Sequence, residues 1–121
     1  NAESYRRFVA RCRRQGLESP IIPGIMPLDN FSGIKRFAGR CGAEIPRWLE
    51  KEMLAYENDK QAVFDVGVEV VTALCARLLD LGAPGLHFFT LNRSAAVIAI
   101  LHQLQSQGYV SLVAQTELEN V

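Results

Sequence analysis

Three consecutive polar residues, Asn92, Arg93 and Ser94, are the part of this sequence best suited to chemistry. They offer an amide, a permanent positive charge and a hydroxyl group. They follow an apolar stretch at residues 86–90, which predicts a short strand buried on both faces, and a helical pattern begins at Ser94. Parallel α/β folds place functional groups in such turns. The turn suits an anionic or carbonyl-bearing ligand. A surface ion pair is the alternative role for Arg93, and these residues alone favour neither.

The elements around this turn are predicted to be mainly helical. Helices are expected at residues 3–15, from a cap at Asp29 or Asn30 to 41, from 46 onwards, at 60–81 after a cap at Asn58 or Asp59, and at 94–106. A first strand is expected at residues 20–23, with Gly24 opening a loop, because Pro23 cannot donate a ladder hydrogen bond. Two strands do not make a stable parallel sheet, so the sequence predicts a piece of a larger α/β domain.

Apolar residues at helical spacing predict the buried face of each helix. Gly67 lies inside the stripe of the longest helix, where glycine is costly, so we expect a close backbone approach there. The predicted buried residues are Tyr5, Phe8, Val9 and Cys12; Phe31, Ile34, Phe37, Ala38 and Cys41; Trp48, Leu49 and Met53; Val63, Phe64, Val70, Val71, Leu74, Cys75, Leu78 and Leu79; and Val97, Ile100, Leu101 and Leu104.

Composition predicts a soluble globular chain of at most one domain. The 121 residues are 49% hydrophobic and 21% charged, with a net charge of zero. No apolar run approaches the roughly 18 residues of a membrane span, and the polar start does not resemble a signal peptide. The absence of an initiator Met leads us to expect a piece of something longer. Three widely spaced cysteines favour reduced thiols in the core of a cytoplasmic protein.

Other candidate sites favour structural roles. Five arginines on the first helix could hold phosphates, but a solvated charged face is the favoured interpretation, so no nucleic acid is expected. His87 shares strand parity with Phe89 and is expected to be a hydrogen-bonded core histidine rather than a catalytic one. His102 is expected at a core boundary, with no metal site around it. The sequence contains no P-loop, Ser-His-Asp set or dinucleotide fingerprint.

Three segments taken together resemble the C-terminal part of methylenetetrahydrofolate reductase. They are PIIPGIMPL at 20–28, CGAEIPRWL at 41–49 and HFFTLNRS at 87–94, in matching order and spacing. The resemblance covers about residues 1–107 and leaves 108–121 as an unassigned tail. It implies an α/β fold, the C-terminal portion of a (β/α)8 TIM-type barrel, mostly helical with two short parallel strands. A whole barrel takes about 250 residues, so more than half of it would lie outside this chain.

The family passes a hydride from NAD(P)H through FAD to 5,10-methylenetetrahydrofolate, giving 5-methyltetrahydrofolate in one-carbon metabolism. The resemblance implies that Arg93 contacts the folate substrate. Most FAD contacts and the acidic residue that assists protonation would lie N-terminal to this segment, so no catalytic, cofactor-binding or metal-binding residue is assigned here. Phe89 stands where the family often has tyrosine, which removes a hydroxyl group.

Two functional classes therefore remain. In the first, the chain is part of a cytoplasmic flavin-dependent oxidoreductase that acts on a folate, and the isolated fragment binds no flavin and is inactive. In the second, it is a non-catalytic α/β module that binds a partner or itself through its exposed strands. In either case exposed strands favour a homo-oligomer. The sequence does not select between NADH and NADPH.

Overall fold

The computed structural model describes residues 1–111 as a mostly helical chain with a small parallel sheet. In chain order the elements are α1 (Ala2–Arg14), β1 (Gly24–Ile25), α2 (Phe31–Cys41), α3 (Arg47–Ala55), α4 (Lys60–Asp80), β2 (His87–Phe88) and α5 (Ala95–Ser106). The predicted order of helices and strands is confirmed. Within the described residues, no helix is both long enough and apolar enough to cross a membrane.

Side-chain caps explain where α2 and α4 begin. Asn30 caps α2 by accepting a hydrogen bond from the Gly33 N–H, and Asp59 caps α4 by accepting from the N–H groups of Gln61 and Ala62. These were two of the capping alternatives that the sequence left open. At its other end α2 stops at Gly42, whose φ of 65° is in the left-handed region that glycine adopts most easily.

The two strands pair in parallel, Gly24 opposite His87 and Ile25 opposite Phe88. The predicted parallel arrangement is confirmed, but the first strand is not at residues 20–23. Pro23 takes part only as an acceptor, because its carbonyl receives the His87 N–H at 3.0 Å. Its missing N–H is therefore no obstacle, and the strand continues through Gly24, which was predicted to open a loop. The second strand is shorter than 86–90 because its partner offers only two paired residues.

The main core lies where α4 and α5 pack together and cover one face of the sheet. Cys75, Ile100 and Leu104 are fully buried in it. A smaller cluster joins α3 to α4 through Leu49 and Met53. The predicted buried faces of α4 and α5 are confirmed at these positions, so the sequence pattern located the core correctly.

Gly67 makes the close approach that was predicted for it. A Cβ atom at this position would lie well inside 3.0 Å of the Leu28 carbonyl oxygen, a separation that real Cβ atoms do not show. The loop after β1 therefore rests directly on the α4 backbone. This contact fixes the distance between Leu28 and the axis of α4, and so the position at which residues 29 and 30 leave the helix.

Several residues predicted to be buried are exposed. Phe8 on α1, Phe37 on α2, Trp48 and Cys41 have large exposed fractions, 58% for Phe8 and for Trp48. The reason is that an apolar stripe is buried only where a neighbouring element covers it. Among the described residues, α1 meets α4 over part of its length, and α2 and α3 have few neighbours.

The histidine predictions are also wrong for the described residues. His87 is exposed rather than buried, because the helices cover only the opposite face of the sheet, the one that carries Ile25 and Phe88. His102 is exposed on α5 rather than at a boundary of the core.

The three thiols lie in three different environments. Cys41 is exposed, Cys12 is half-buried and Cys75 is buried, so the expectation of core cysteines holds only for Cys75. Burial raises the pKa of the Cys75 thiol to about 11, because the thiolate would lose its hydration in the core.

Part of the unassigned tail packs on the helices. The Tyr109 N–H donates to the Leu104 carbonyl, and the Tyr109 hydroxyl donates to Asp80 Oδ2 at 3.0 Å. Val110 packs against the main core. Residues 108–111 therefore close the end of α5, and the remainder of that tail, 112–121, lies outside the described residues.

Candidate functional site

The turn after β2 has an unusual backbone. Leu91 and Asn92 have φ values of 49° and 61°, and the turn is closed by the Arg93 N–H, which donates to the Thr90 carbonyl at 2.8 Å. Asparagine adopts such angles more readily than other side-chain-bearing residues, but for leucine they cost about 1–2 kcal/mol. Strained residues of this kind concentrate at functional sites. The strain thus marks the same turn that the residue types indicated.

Arg93 meets the loop that follows the other strand. Its Nε atom lies 3.2 Å from Asp29 Oδ2, and the arginine side chain is 59% exposed whereas that of Asp29 is 20% exposed. Asp29 follows β1 and immediately precedes the cap of α2. The carboxyl ends of the two parallel strands therefore bring a cation and an anion together, although their residues are far apart in sequence.

The side chain of Arg93 makes no hydrogen bond within residues 1–111, and Nε–Oδ2 is its closest contact with Asp29. The guanidinium is planar with five N–H donors, and none of them is used in a hydrogen bond within those residues, so its Nη edge can donate to a ligand. A carboxylate or carbonyl oxygen is the kind of acceptor that this edge binds best. The surface ion pair considered for Arg93 does form, with Nε as the nitrogen closest to Asp29.

Arg93 lies between two clefts and borders both. The large cleft, about 790 Å³, is lined by the N-terminal ends of α2, α4 and α5, including Lys60 and Glu57. The small cleft, about 190 Å³, is lined mainly by apolar side chains, among them Phe37, Phe89 and Leu91. A ligand with a flat apolar part and a polar or anionic extension would match this juxtaposition.

The other residues of the predicted site remain near the turn. Asn92 is exposed, and Ser94 is the N-cap residue of α5 without a side-chain capping bond. The hydroxyl of Ser94 therefore faces no competing partner within its own helix. Asp29 was missed as a site residue because it was considered only as a helix cap. Its position after a parallel strand, like that of Arg93, is the signal that could have found it.

Phe89 and His87 share the open face of the sheet. Their rings meet edge to face with centroids 4.7 Å apart. The Phe89 ring packs over Gly24, where any side chain would clash, since a Cβ atom there would lie 2.5 Å from Phe89 Cε2. The aromatic ring at position 89 thus contacts the neighbouring strand, and a hydroxyl group is not needed for that contact.

The side chains of residues 1–111 form neither a metal site nor a complete flavin site. Within that range no group of three His, Cys, Asp or Glu residues is arranged to hold a metal ion. A flavin dinucleotide brings a pyrophosphate that requires several convergent donors. The described part of the chain offers Arg93 and Lys60 at the large cleft, and Asp29 already pairs with Arg93. These residues alone do not fit an FAD cradle.

Comparison with known proteins decides the family. The sequence model of the family described as methylenetetrahydrofolate reductase matches residues 1–105. The chain belongs to the methylenetetrahydrofolate reductase family. The resemblance seen in the three sequence segments is thereby confirmed, and Arg93 with the strand and turn that carry it lies within the matched range.

Individual relatives agree with this assignment. The chain is 40% identical over 104 residues to a probable methylenetetrahydrofolate reductase (NADPH) of Caenorhabditis elegans, covering 85% of this chain and 16% of that protein. It is 36% identical to methylenetetrahydrofolate reductase (NADH) 1 of Arabidopsis thaliana, over 86% of this chain and 18% of the relative. It is also 36% identical to 5,10-methylenetetrahydrofolate reductase of Salmonella typhimurium, over 86% of this chain and 35% of that protein.

The chain therefore spans at most about a third of the length of these curated relatives. Their names include both NADH and NADPH enzymes, so similarity does not select the pyridine nucleotide.

Proposed function

We propose that this chain forms the C-terminal part of the (β/α)8 barrel of a flavin-dependent methylenetetrahydrofolate reductase. The complete protein would reduce 5,10-methylenetetrahydrofolate to 5-methyltetrahydrofolate with NAD(P)H through FAD. The observation that carries the proposal is the position of Arg93. It follows β2 at the carboxyl end of a parallel sheet, where barrel enzymes bind their substrates, and its largely exposed side chain borders two clefts.

In this proposal Arg93 binds and orients the folate. Its Nη groups donate to a carboxylate or carbonyl oxygen of the substrate, and the apolar side chains of the small cleft lie against a ring of the same molecule. A charge-assisted hydrogen bond of this kind contributes about 1.5–3 kcal/mol, which corresponds to roughly 10- to 150-fold in affinity. The bound flavin supplies the hydride chemistry, and its contacts are assigned to residues outside this chain.

Substitution of Arg93 in the complete enzyme tests this role. We expect Arg93→Ala to raise the folate KM by about 10- to 150-fold, with flavin content unchanged. Arg93→Lys is expected to recover only part of the loss, because an ammonium group cannot reproduce the planar fork. Arg11→Ala, which removes an exposed arginine from α1, is the matched control and is expected to change nothing. An unchanged folate KM in Arg93→Ala would reduce Arg93 to its ion pair with Asp29.

The isolated chain is expected to behave differently from the complete enzyme. Without an FAD cradle it should retain no flavin after mixing with FAD and desalting, and it should have no reductase activity. Stoichiometric flavin retention would contradict this assignment of the cofactor contacts. The remaining expectations, FAD as the cofactor and a cytoplasmic location, belong to the complete protein and are part of the same proposal.

A self-associating module is the second candidate function, and the open face of the sheet favours it. Phe89 and Leu91 are exposed there, and each of the two strands pairs with only one neighbour within the described residues. Exposed strand edges and apolar faces recruit other chains, most simply as a symmetric dimer. Sedimentation of the isolated chain at micromolar concentration is expected to show a homo-oligomer. A monodisperse monomer would argue against self-association.

A further inference from the structure

The ion pair between Arg93 and Asp29 is asymmetric. Asp29 is largely covered and Arg93 is largely open, and the nitrogen closest to the carboxylate is Nε, at 3.2 Å. An exposed arginine has many rotamers, so an unrestrained side chain on this turn would present its donors in many directions. The ion pair restricts the side chain, and its closest contact is through Nε rather than through the Nη edge.

Asp29 is in turn fixed from both sides along the chain. Before it, the carbonyl of Leu28 rests against Gly67 with no room for a Cβ atom. After it, the Asn30 side chain accepts from the Gly33 N–H at 3.2 Å and from the Ser32 hydroxyl at 3.0 Å, which starts α2. The backbone of Asp29 is therefore fixed between a helix contact and a helix cap, so its side chain starts from a well-defined position.

We propose that Asp29 is a positioning residue for substrate binding. It holds Arg93 through Nε and thereby directs the Nη edge toward the oxygen atom of the folate substrate. The inference rests on the proposed binding role of Arg93. In the opposite arrangement, Asp29 would compete with the substrate by occupying the Nη edge, whereas its closest contact is with Nε and the Nη atoms donate no hydrogen bond within residues 1–111.

The first test is Asp29→Asn in the complete enzyme, a change that keeps the shape and removes the charge. We expect the folate KM to rise about 2- to 5-fold, the range of a partly exposed ion pair. The turnover number and the rate of flavin reduction by NAD(P)H are expected to stay unchanged. Glu3→Gln makes the same chemical change in the ion pair between Glu3 and Arg6 on α1 and is expected to leave the folate KM unchanged.

A double-mutant cycle separates positioning from a general structural effect. If Asp29 acts through Arg93, then Asp29→Asn in an Arg93→Ala background should alter the folate KM by less than about 1.5-fold. A structural role would lower the affinity in both backgrounds alike. An equal effect in the two backgrounds would therefore overturn the proposal.

The sign of the effect is equally informative. A fall in folate KM in Asp29→Asn would mean that Asp29 competes with substrate, and an unchanged KM would mean that it does not position Arg93; either result overturns the inference. If Arg93→Ala impairs the folate step while Asp29→Asn does not, only the positioning role fails. If Arg93→Ala itself has no effect, the proposed binding role of Arg93 has failed instead.

Discussion

The packed contact between α4 and α5 and the open surface at the carboxyl ends of the strands use similar side chains in opposite ways. In the packed contact Cys75, Ile100 and Leu104 are fully buried. On the open surface Phe89 and Leu91 are exposed, 71% for Leu91. The helices therefore stabilise the chain, whereas the apolar residues of the open surface are available for contacts with other molecules or other parts of a larger protein.

The two regions also differ in backbone conformation. The helices follow regular geometry, but the turn after β2 holds two consecutive residues at positive φ. A stable core that tolerates a strained loop is the usual arrangement of a binding site on a scaffold. Substitutions in the two regions are therefore expected to change the stability of the chain by very different amounts.

Truncation of a core side chain should separate the regions most clearly. Ile100→Ala is expected to lower the free energy of unfolding by about 2–5 kcal/mol, because it leaves a cavity between α4 and α5. Phe89→Ala on the open surface should cost less than about 1 kcal/mol, although more atoms are removed. Urea denaturation measures both changes. Equal losses would contradict the contrast and would mean that the sheet face is part of the stabilising core.

Adding a methyl group at Gly67 is expected to be the next largest effect. Gly67→Ala should destabilise by about 1–3 kcal/mol or more, since the new Cβ atom would displace the Leu28 carbonyl. The matched control is Gly39→Ala, another helical glycine, whose Cβ atom would meet nothing within 4 Å. That change should stabilise by up to about 1 kcal/mol. Stabilisation by both substitutions would show that the loop after β1 does not rest on α4.

The buried thiol gives the core a pH dependence. The pKa of Cys75 is raised to about 11 from its ordinary value near 9, so the unfolded chain releases this proton at lower pH than the folded chain. Stability is therefore lost as pH rises from about 9 towards 11, by about 1 kcal/mol between pH 8 and 10. Cys75→Ala should remove that component of the decline.

Tyr109 must be controlled for in the same measurement. Its hydrogen bond to Asp80 raises the pKa of the phenol, so its ionisation also favours the unfolded chain at high pH. Both proteins should therefore carry Tyr109→Phe, and urea denaturation at several pH values gives the comparison. An identical pH slope with and without Cys75 would contradict the assignment to this thiol.

The smallest expected effect is on the strained turn. Leu91→Gly should raise the stability by about 0.5–1 kcal/mol, because glycine accepts positive φ and the exposed leucine contributes little packing. Leu17→Gly, at an exposed leucine without positive φ, is the control and should not stabilise. Thermal unfolding of the two variants provides the test. A loss of stability in Leu91→Gly would show that the packing of the leucine side chain outweighs the backbone strain at this position.

The sequence predicted the helices better than their surroundings. The spacing of apolar residues along α4 and α5 identified the core. The glycine within the apolar stripe of α4, Gly67, indicated a close backbone approach, which Leu28 makes. Phe8, Phe37 and Trp48 were wrongly expected to be buried. Periodicity shows which face of a helix is apolar, but it does not show whether another element covers that face.

The site was predicted in part. The residue types at 92–94 indicated the correct turn, but the pairing of Arg93 with Asp29 depends on how two distant strands align in register. The first strand was placed too early because proline was treated as excluded from the ladder, whereas its carbonyl remains an acceptor. Positive φ at Leu91 could not be expected either, since leucine disfavours that conformation locally.

Stopped-flow kinetics of the complete enzyme carrying Arg93→Ala tests the central claim most directly, because the two half-reactions can be observed separately. Reduction of the flavin by NAD(P)H should proceed at the rate of the unsubstituted enzyme. Reoxidation by methylenetetrahydrofolate at subsaturating concentration should slow by about 10- to 150-fold. Reoxidation at an unchanged rate would contradict a folate-binding role for Arg93. A loss confined to flavin reduction would show that Arg93 serves the flavin or the pyridine nucleotide instead of the folate.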